Sequence, residues 1–272
     1  MVELPGLEPR MAGSRSMVFP LHYSSLVLVG VFNTINISMP ISKSPHYKYA
    51  NQTLDWLPMD TEKRYQDNLK HRFKDLTKYN WIDSHFTYKF NSHGFRCNEF
   101  VDLPSVVFLG CSLTQGIGLP IEKTWATIVA NKLNLKCYNL GIGGSSNDTA
   151  FRLAYSWFKI IKPTTVILCT PPTERLELLS ENNSIQLLPN AIKSHPGLDF
   201  YKHWVDDENN GILNKTKNTL AIENLCNHLS INLLTVDSNT LLTTMNIDLA
   251  RDLAHPGINS NQHFADYVLK QL

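Results

Sequence analysis

The chain has 272 residues, of which 43% are hydrophobic, 10% aromatic and 18% charged, with a formal net charge of +1. That length suits one large α/β domain or two small ones, and balanced charge without a Lys/Arg block excludes a nucleic-acid binder that works by neutralising phosphates. The longest uncharged apolar stretch, near Leu26–Phe32, is interrupted by Asn33, Thr34 and Asn36. It falls short of the ~20 residues that a spanning helix needs, so no membrane span is expected.

The five cysteines (Cys97, Cys111, Cys137, Cys169 and Cys226) are odd in number, widely spaced and without a CxxC pair. This argues against a zinc site or a disulfide framework. Three of them fall at or beside expected strands, where free Cys acts as a small buried hydrophobe, and they point to a reducing, cytoplasmic setting.

Residues 1–40 differ from the rest, for Met17 to Ser42 carry no Asp, Glu, Lys or Arg and keep no period for long. Arg10 and Arg15 precede Leu26–Phe32 as in a secretory leader, yet no small-residue cleavage site follows, so a disordered or atypical segment is expected. Residues 41–100 are expected to form a helical and irregular N-terminal extension packed on the core. Within it, Asp60–Tyr79 reads as one amphipathic helix capped by Asp60, with Tyr65, Leu69, Phe73 and Leu76 at helical spacing. His85–Phe100 is aromatic-rich, and Asn91-Ser92-His93-Gly94-Phe95-Arg96 signals a turn leading to the first core strand.

From residue 101 to 272 strands alternate with helices. Ser105–Leu109 is a short apolar strand ending at Gly110, and a helix follows from about Glu122 to Leu133, with Trp125, Ile128, Val129 and Leu133 on one face. Lys136–Leu140 is the second strand, closed by Gly141-Ile142-Gly143-Gly144, after which Asn147 caps a helix that buries Phe151, Ala154, Trp157, Phe158 and Ile161. Thr165–Thr170 reads as a third strand covered on both faces. Residues 180–210 are polar and irregular and read as an insertion. Ile222, Leu225, Cys226 and Leu229 then mark a helix, Ile231–Val236 a further strand, and Asn259 onward a closing helix. Such alternation implies right-handed βαβ units and a parallel sheet.

In open parallel sheets the working groups gather beyond the carboxyl ends of the strands. After the first strand comes Gly110-Cys111-Ser112-Leu113-Thr114-Gln115-Gly116, with Ser112 on a tight turn. After the second comes Gly143-Gly144, where absent side chains let amides approach a ligand. Before the last helix comes Asp252-Leu253-Ala254-His255-Pro256, a carboxylate three residues ahead of an imidazole. Taken singly, these are a turn, a loop and a capping histidine; together they contain a nucleophile, a base, an orienting carboxylate and oxyanion donors. Asp199 and His203, at i and i+4 in the insertion, form a rival pair that reads as surface or lid.

These three segments, with Asn139-Leu140 before the glycines, resemble the SGNH (GDSL-type) hydrolase family from about Asn91 to the C-terminus. The resemblance implies an α/β fold, a flavodoxin-like three-layer sandwich with a central parallel sheet, that hydrolyses esters with no metal or organic cofactor. It implies Ser112 as nucleophile, His255 as general base, Asp252 as its orienting group, and the Ser112 and Gly144 amides as oxyanion donors. Two departures stand out. Cys111 occupies the position of the family's Asp, and Pro171-Pro172-Thr173-Glu174-Arg175 replaces its Gly-x-Asn-Asp segment, which leaves the Thr173 hydroxyl, or a different side chain such as Asn147 or Arg175, as a third donor.

The implied substrate is a small-molecule or carbohydrate ester, such as an O-acetyl sugar. An O-acyltransferase results if a sugar hydroxyl takes the acyl group before water does. A catalytically impaired module that binds a carbohydrate or protein partner is the alternative, since the Asn-Asp pair is missing. A flavin-phosphate loop built on Ser112, Thr114 and Gly116 would leave Asp252 and His255 without a use. Residues 175–210 are expected to border the pocket, with Phe200, Tyr201 and Trp204 as an aromatic wall or as anchors of the insertion.

Overall fold

The computed structural model describes residues 43–179, 184–190 and 199–272. The expectations for residues 1–40, for Asn182-Asn183 and for His195-Pro196-Gly197 lie outside the described residues.

The core is a four-stranded parallel sheet made of β3 (Ser105–Leu109), β4 (Lys136–Asn139), β5 (Thr165–Thr170) and β8 (Asn232–Asp237). Its order is β4-β3-β5-β8, with Val107 opposite Tyr138 on one side and Val166 on the other. This is a flavodoxin-like three-layer sandwich, because helices cover both faces. On one face α5 (Asn147–Ile161) and α7 (Glu208–His228) bury Trp157, Phe158, Ile222 and Cys226 against Val107, Leu109, Val166 and Leu168. On the other, α4 (Trp125–Lys132) and α9 (Ile258–Leu269) bury Trp125, Val129, Phe264 and Val268 against Val106, Phe108 and Ile167. Strands enclosed in this way carry apolar residues at successive positions, and each buried Val, Leu or Phe contributes roughly 1.5–3 kcal/mol.

The extension differs from its expected form. In place of one helix there are two, α1 (Glu62–His71) and α2 (Phe73–Lys78), broken at Arg72, whose backbone leaves the helical region at φ −133° and ψ 32°. The helix cap is Thr61, whose hydroxyl accepts the Arg64 amide at 3.1 Å. Asp60 turns inward and pairs with Arg251, Nη2 to Oδ2 at 2.7 Å, with both side chains buried. A two-residue ladder of β1 (Thr53–Leu54) and β2 (Tyr88–Lys89) completes this layer. Similarly, Ser146 rather than Asn147 caps α5 in a capping box with Thr149.

The insertion is more ordered than its polarity suggests. Leu176–Leu179 (β6) and Ser184–Leu187 (β7) form an antiparallel hairpin, α6 spans Asp199–Asp206, and α7 begins at Glu208, well before the expected helix. The hairpin is tied to α5 by the buried Arg152–Glu177 pair, Nη2 to Oε1 at 2.7 Å, and Gln186 Nε2 also donates to Glu177 at 2.8 Å. Tyr201 is fully buried and donates to the Glu174 carbonyl at 2.6 Å, with Trp204 stacked on it at 6.2 Å between ring centroids. These two rings anchor the insertion, while Phe200, Asp199 and His203 are exposed. A short α8 (Ser238–Thr244), which the sequence reading lacks, follows β8. Among the described residues, no helix is long and apolar enough to cross a membrane, and no group of three or more His, Cys, Asp or Glu could hold a metal ion.

Candidate active site

β3 ends at Leu109, and the chain turns at Gly110, whose φ is +155°. A Cβ there would lie 2.2 Å from Thr114 Oγ1 and 2.8 Å from the Cys169 carbonyl, so only glycine lets the chain pass into the four-residue helix α3 (Ser112–Gln115). Ser112 is the first residue of α3, and its amide therefore precedes the helix's own hydrogen bonds. Its side chain is half-exposed and its hydroxyl makes no hydrogen bond among the described residues. Cys111 beside it is buried, and all five cysteines are free.

The loop between α8 and α9 holds a carboxylate–imidazole pair. His255 Nδ1 lies 2.5 Å from Asp252 Oδ2, and the Ala254 and His255 amides donate to Asp252 Oδ1 at 3.1 and 3.0 Å. Asp252 is 1% exposed. Burial alone would raise its pKa, but the hydrogen bonds and charge of His255, with the two amides, outweigh burial and hold it below the ordinary carboxylate value. A carboxylate bound to Nδ1 leaves Nε2 to do acid–base chemistry. Ser112 and His255 both border one closed gap, too narrow to admit a water molecule, together with Ile117, Pro256 and Asn261. The two side chains thus border one gap without a hydrogen bond joining them, and in unliganded sites such bonds often tighten only when substrate is bound.

The Asp252–His255 loop is held from behind by residues with no part in any motif. Arg64 Nε donates to the Asp252 carbonyl at 2.9 Å, Arg72 Nη1 to that of Leu253 at 3.1 Å, and Trp81 Nε1 to that of Leu249 at 2.7 Å. Arg251, next to Asp252, is fixed by Asp60, and Tyr88 Oη donates to the same carboxylate at 2.5 Å. On the other side of Ser112, the 1%-exposed Arg96 donates to the carbonyls of Gln115, Gly116 and Leu119 at 3.0, 2.6 and 2.6 Å. Burial lowers Arg96 to about 10, which leaves it charged at neutral pH.

The glycine loop after β4 is stitched to the Ser112 turn. Asn139 Nδ2 donates to the Thr114 carbonyl at 2.6 Å, Ile142 N to that of Gly110 at 3.0 Å, and Gly143 N to Gln115 Oε1 at 2.8 Å. Gly144 has φ +77°, which calls for glycine although a Cβ would make only ordinary contacts with the Leu188 methyls at 3.6 and 3.8 Å and Gln186 Cβ at 4.0 Å. Leu188, just after β7, therefore covers this loop. Thr173 is packed on α7, since a Cβ on Gly211 would lie 2.6 Å from its carbonyl oxygen and 3.0 Å from its Cβ. Asn147 Nδ2 donates to the Pro171 carbonyl at 3.1 Å, and Arg175 Nη1 lies 3.4 Å from that of Ser145.

Ser112, His255, Asp252 and Gly144 are legible in sequence from their positions after strands. Arg64, Arg72, Asp60 and Arg251 are not, because each acts across more than 170 residues of chain, and only the lead-in motif hinted at Arg96.

No family model and no curated protein matches this chain. Among solved structures it is similar to a G-D-S-L-family protein from Desulfitobacterium hafniense DCB-2, at 16% identity over 62% of this chain and 99% of that one, with a TM-score of 0.33. It is also similar to the psychrotrophic esterase EstA from Pseudoalteromonas sp., at 14% identity over 61% and 94% of the two chains and a TM-score of 0.34. A third is the acetyl xylan esterase AlAXEase, at 15% identity, 62% and 99% coverage and a TM-score of 0.33. Likeness at this level assigns neither substrate nor site residues to this chain, which has to be read from its own geometry.

Proposed function

We propose that this chain is a serine hydrolase of carboxylic esters, acting on small acyl esters such as O-acetyl groups of a carbohydrate. The observation that carries the reading is the Asp252–His255 pair, 2.5 Å apart with its carboxylate buried, beside the same gap as Ser112, whose hydroxyl has no hydrogen-bond partner among the described residues. Ser112 is a weak nucleophile at its own pKa, so His255 Nε2 takes its proton as Oγ attacks the carbonyl carbon. Asp252 stabilises the imidazolium, and the oxyanion is received by the Ser112 and Gly144 amides and the Thr173 hydroxyl. His255 then protonates the leaving alcohol, and water, activated by the same imidazole, cleaves the acyl-Ser112 bond. A sugar hydroxyl in place of that water makes the same site an acyltransferase. No step calls on a metal or organic cofactor. Five free thiols support a cytoplasmic setting.

Intact-mass analysis after exposure to a fluorophosphonate, run beside Ser112→Ala, tests the reading. Ser112 Oγ bonds to phosphorus, fluoride leaves, and one adduct absent from the variant is expected. A folded wild-type chain that takes no adduct would overturn the hydrolase. The lead would then pass to a module that binds a carbohydrate or protein partner, a reading favoured by the absence of an Asn-Asp pair after β5.

A further inference from the structure

We infer that Gln115 is a positioning residue that presets the Gly143–Gly144 turn, and that His46, from outside the three motifs, decides which way the Gln115 amide faces. Its effect on rate rests on the esterase reading above, whereas the contacts do not.

Gln115 is fully buried at the end of α3, three residues after Ser112. Its Oε1 accepts the Gly143 amide at 2.8 Å, and its Nε2 lies 2.9 Å from His46 Nδ1. An amide whose oxygen is committed to an N–H offers only its NH₂ to the other side. His46 Nδ1 is therefore the acceptor, and the imidazole proton sits on Nε2. If the amide turned over, its NH₂ would face the Gly143 N–H, and a part-buried donor would lose its acceptor. A protonated His46 would force that reversal, because its Nδ1–H would demand the Gln115 oxygen.

The surroundings of His46 keep Nδ1 an acceptor. Burial, with a smaller contribution from the charge of Lys48, lowers its pKa to about 4. The rings of Tyr49 and Phe90 meet the imidazole edge-on at 5.4 and 6.1 Å. With the Gly143 amide taken up by Gln115, the Gly144 amide is the one left for a developing oxyanion, at an orientation set by the bond beside it. The nucleophile turn and the glycine loop are thus tied through one side chain, and that tie ends on a residue 69 positions earlier in the chain.

Gln115→Met keeps the volume and removes both bonds. In the full-length chain, with p-nitrophenyl acetate, kcat is expected to fall about 10- to 100-fold while KM stays within about twofold, since a displaced oxyanion donor weakens only the transition state. Ser112 in this variant should still take a fluorophosphonate. His46→Phe keeps the ring contacts and loses the acceptor, and its kcat should fall about 3- to 10-fold.

A titration by NMR reads the link without any activity. Wild-type His46 should titrate at about 4. Gln115→Glu should raise it past the ordinary imidazole value, because a carboxylate can accept from Gly143 and from a protonated His46 together. Unchanged kcat in Gln115→Met, a change confined to KM, or a wild-type His46 that titrates at its ordinary value would each overturn the inference. Should Gln115→Met fail to fold, His46→Phe and the titration decide it. If Ser112 in the wild type takes no fluorophosphonate, the esterase reading fails, and the titration alone judges the contact.

Discussion

The two loops on either side of Ser112 are held in opposite ways. The loop of Asp252 and His255 is gripped by Arg64, Arg72 and Trp81 through its carbonyls, by the buried Asp60–Arg251 pair, and by Asp248, whose carboxylate accepts the Asn259 and Ser260 amides at 2.9 and 2.8 Å. The loop after β5, residues 171–175, is held among the described residues by one bond from Asn147, one from Tyr201 and a 3.4 Å contact from Arg175. A base of the kind proposed for His255 must keep one tautomer and one orientation through a proton transfer, a task that an over-determined loop suits. The segment that lacks the Asn-Asp pair is the sparsely tied one among the described residues, and under the proposed function it is the one expected to set specificity with the insertion that follows it.

The largest break should come at the base itself. His255→Gln keeps the loop's size and removes the proton acceptor, and turnover of p-nitrophenyl acetate should fall by about 10⁴-fold or more with the fold intact. Near wild-type activity would sink the assignment. Asp252→Asn should follow, with a loss of about 10²- to 10⁴-fold, because the amide no longer selects the productive tautomer of His255.

Asp252 also ties the site to acid stability. Its folded pKa lies below the ordinary value of 3.8, so its stabilising contribution is present above that value and is lost as pH falls through the folded one. Urea midpoints measured from neutral pH down into acid should therefore fall less steeply in Asp252→Asn than in the wild type. Parallel acid limbs would contradict the proposed coupling.

Asp60→Ala probes the same loop from behind. Removing one member of a buried pair leaves Arg251 charged and uncompensated, a loss of about 3–5 kcal/mol. The guanidinium also lies 4.2 Å from the ring centre of Trp56 and 3.9 Å from that of Phe86, so it cannot easily escape to water. Replacing both partners, as Asp60→Leu with Arg251→Met, should restore most of the thermal stability while activity stays reduced, which would separate loop placement from folding. Full activity in the stable double variant would show that Arg251 places nothing in the site.

What the sequence discloses follows the range of the interaction. Ser112, Gly144, Asp252 and His255 stand in short segments after strands, and Thr165–Thr170 is recognisable because both of its faces are apolar. Asp60 precedes a helical pattern and so reads as a cap; its carboxylate is instead consumed by an arginine 191 residues away, and Thr61 takes over the capping. The insertion reads as irregular because its hairpin is stabilised by Arg152 and Glu177 on separate elements rather than by alternating apolar residues. In sequence Tyr201 reads as substrate wall or as anchor, and its burial with a bond to the Glu174 carbonyl makes it an anchor.

That anchor supplies the smallest and most discriminating test of the sparsely held loop. Tyr201→Phe removes only the hydroxyl that donates to the Glu174 carbonyl at 2.6 Å and keeps the buried ring. A neutral hydrogen bond contributes about 1 kcal/mol net, so stability should drop by about that much. On the tightly held side so small a change would be absorbed by the remaining bonds. Here it releases one of the few hydrogen bonds that hold the loop of Thr173 among the described residues, and kcat should fall several-fold, with a larger change for bulky acyl groups than for acetate. Equal effects on acetyl and butyryl esters would mean that residues 171–175 border no part of the acyl site.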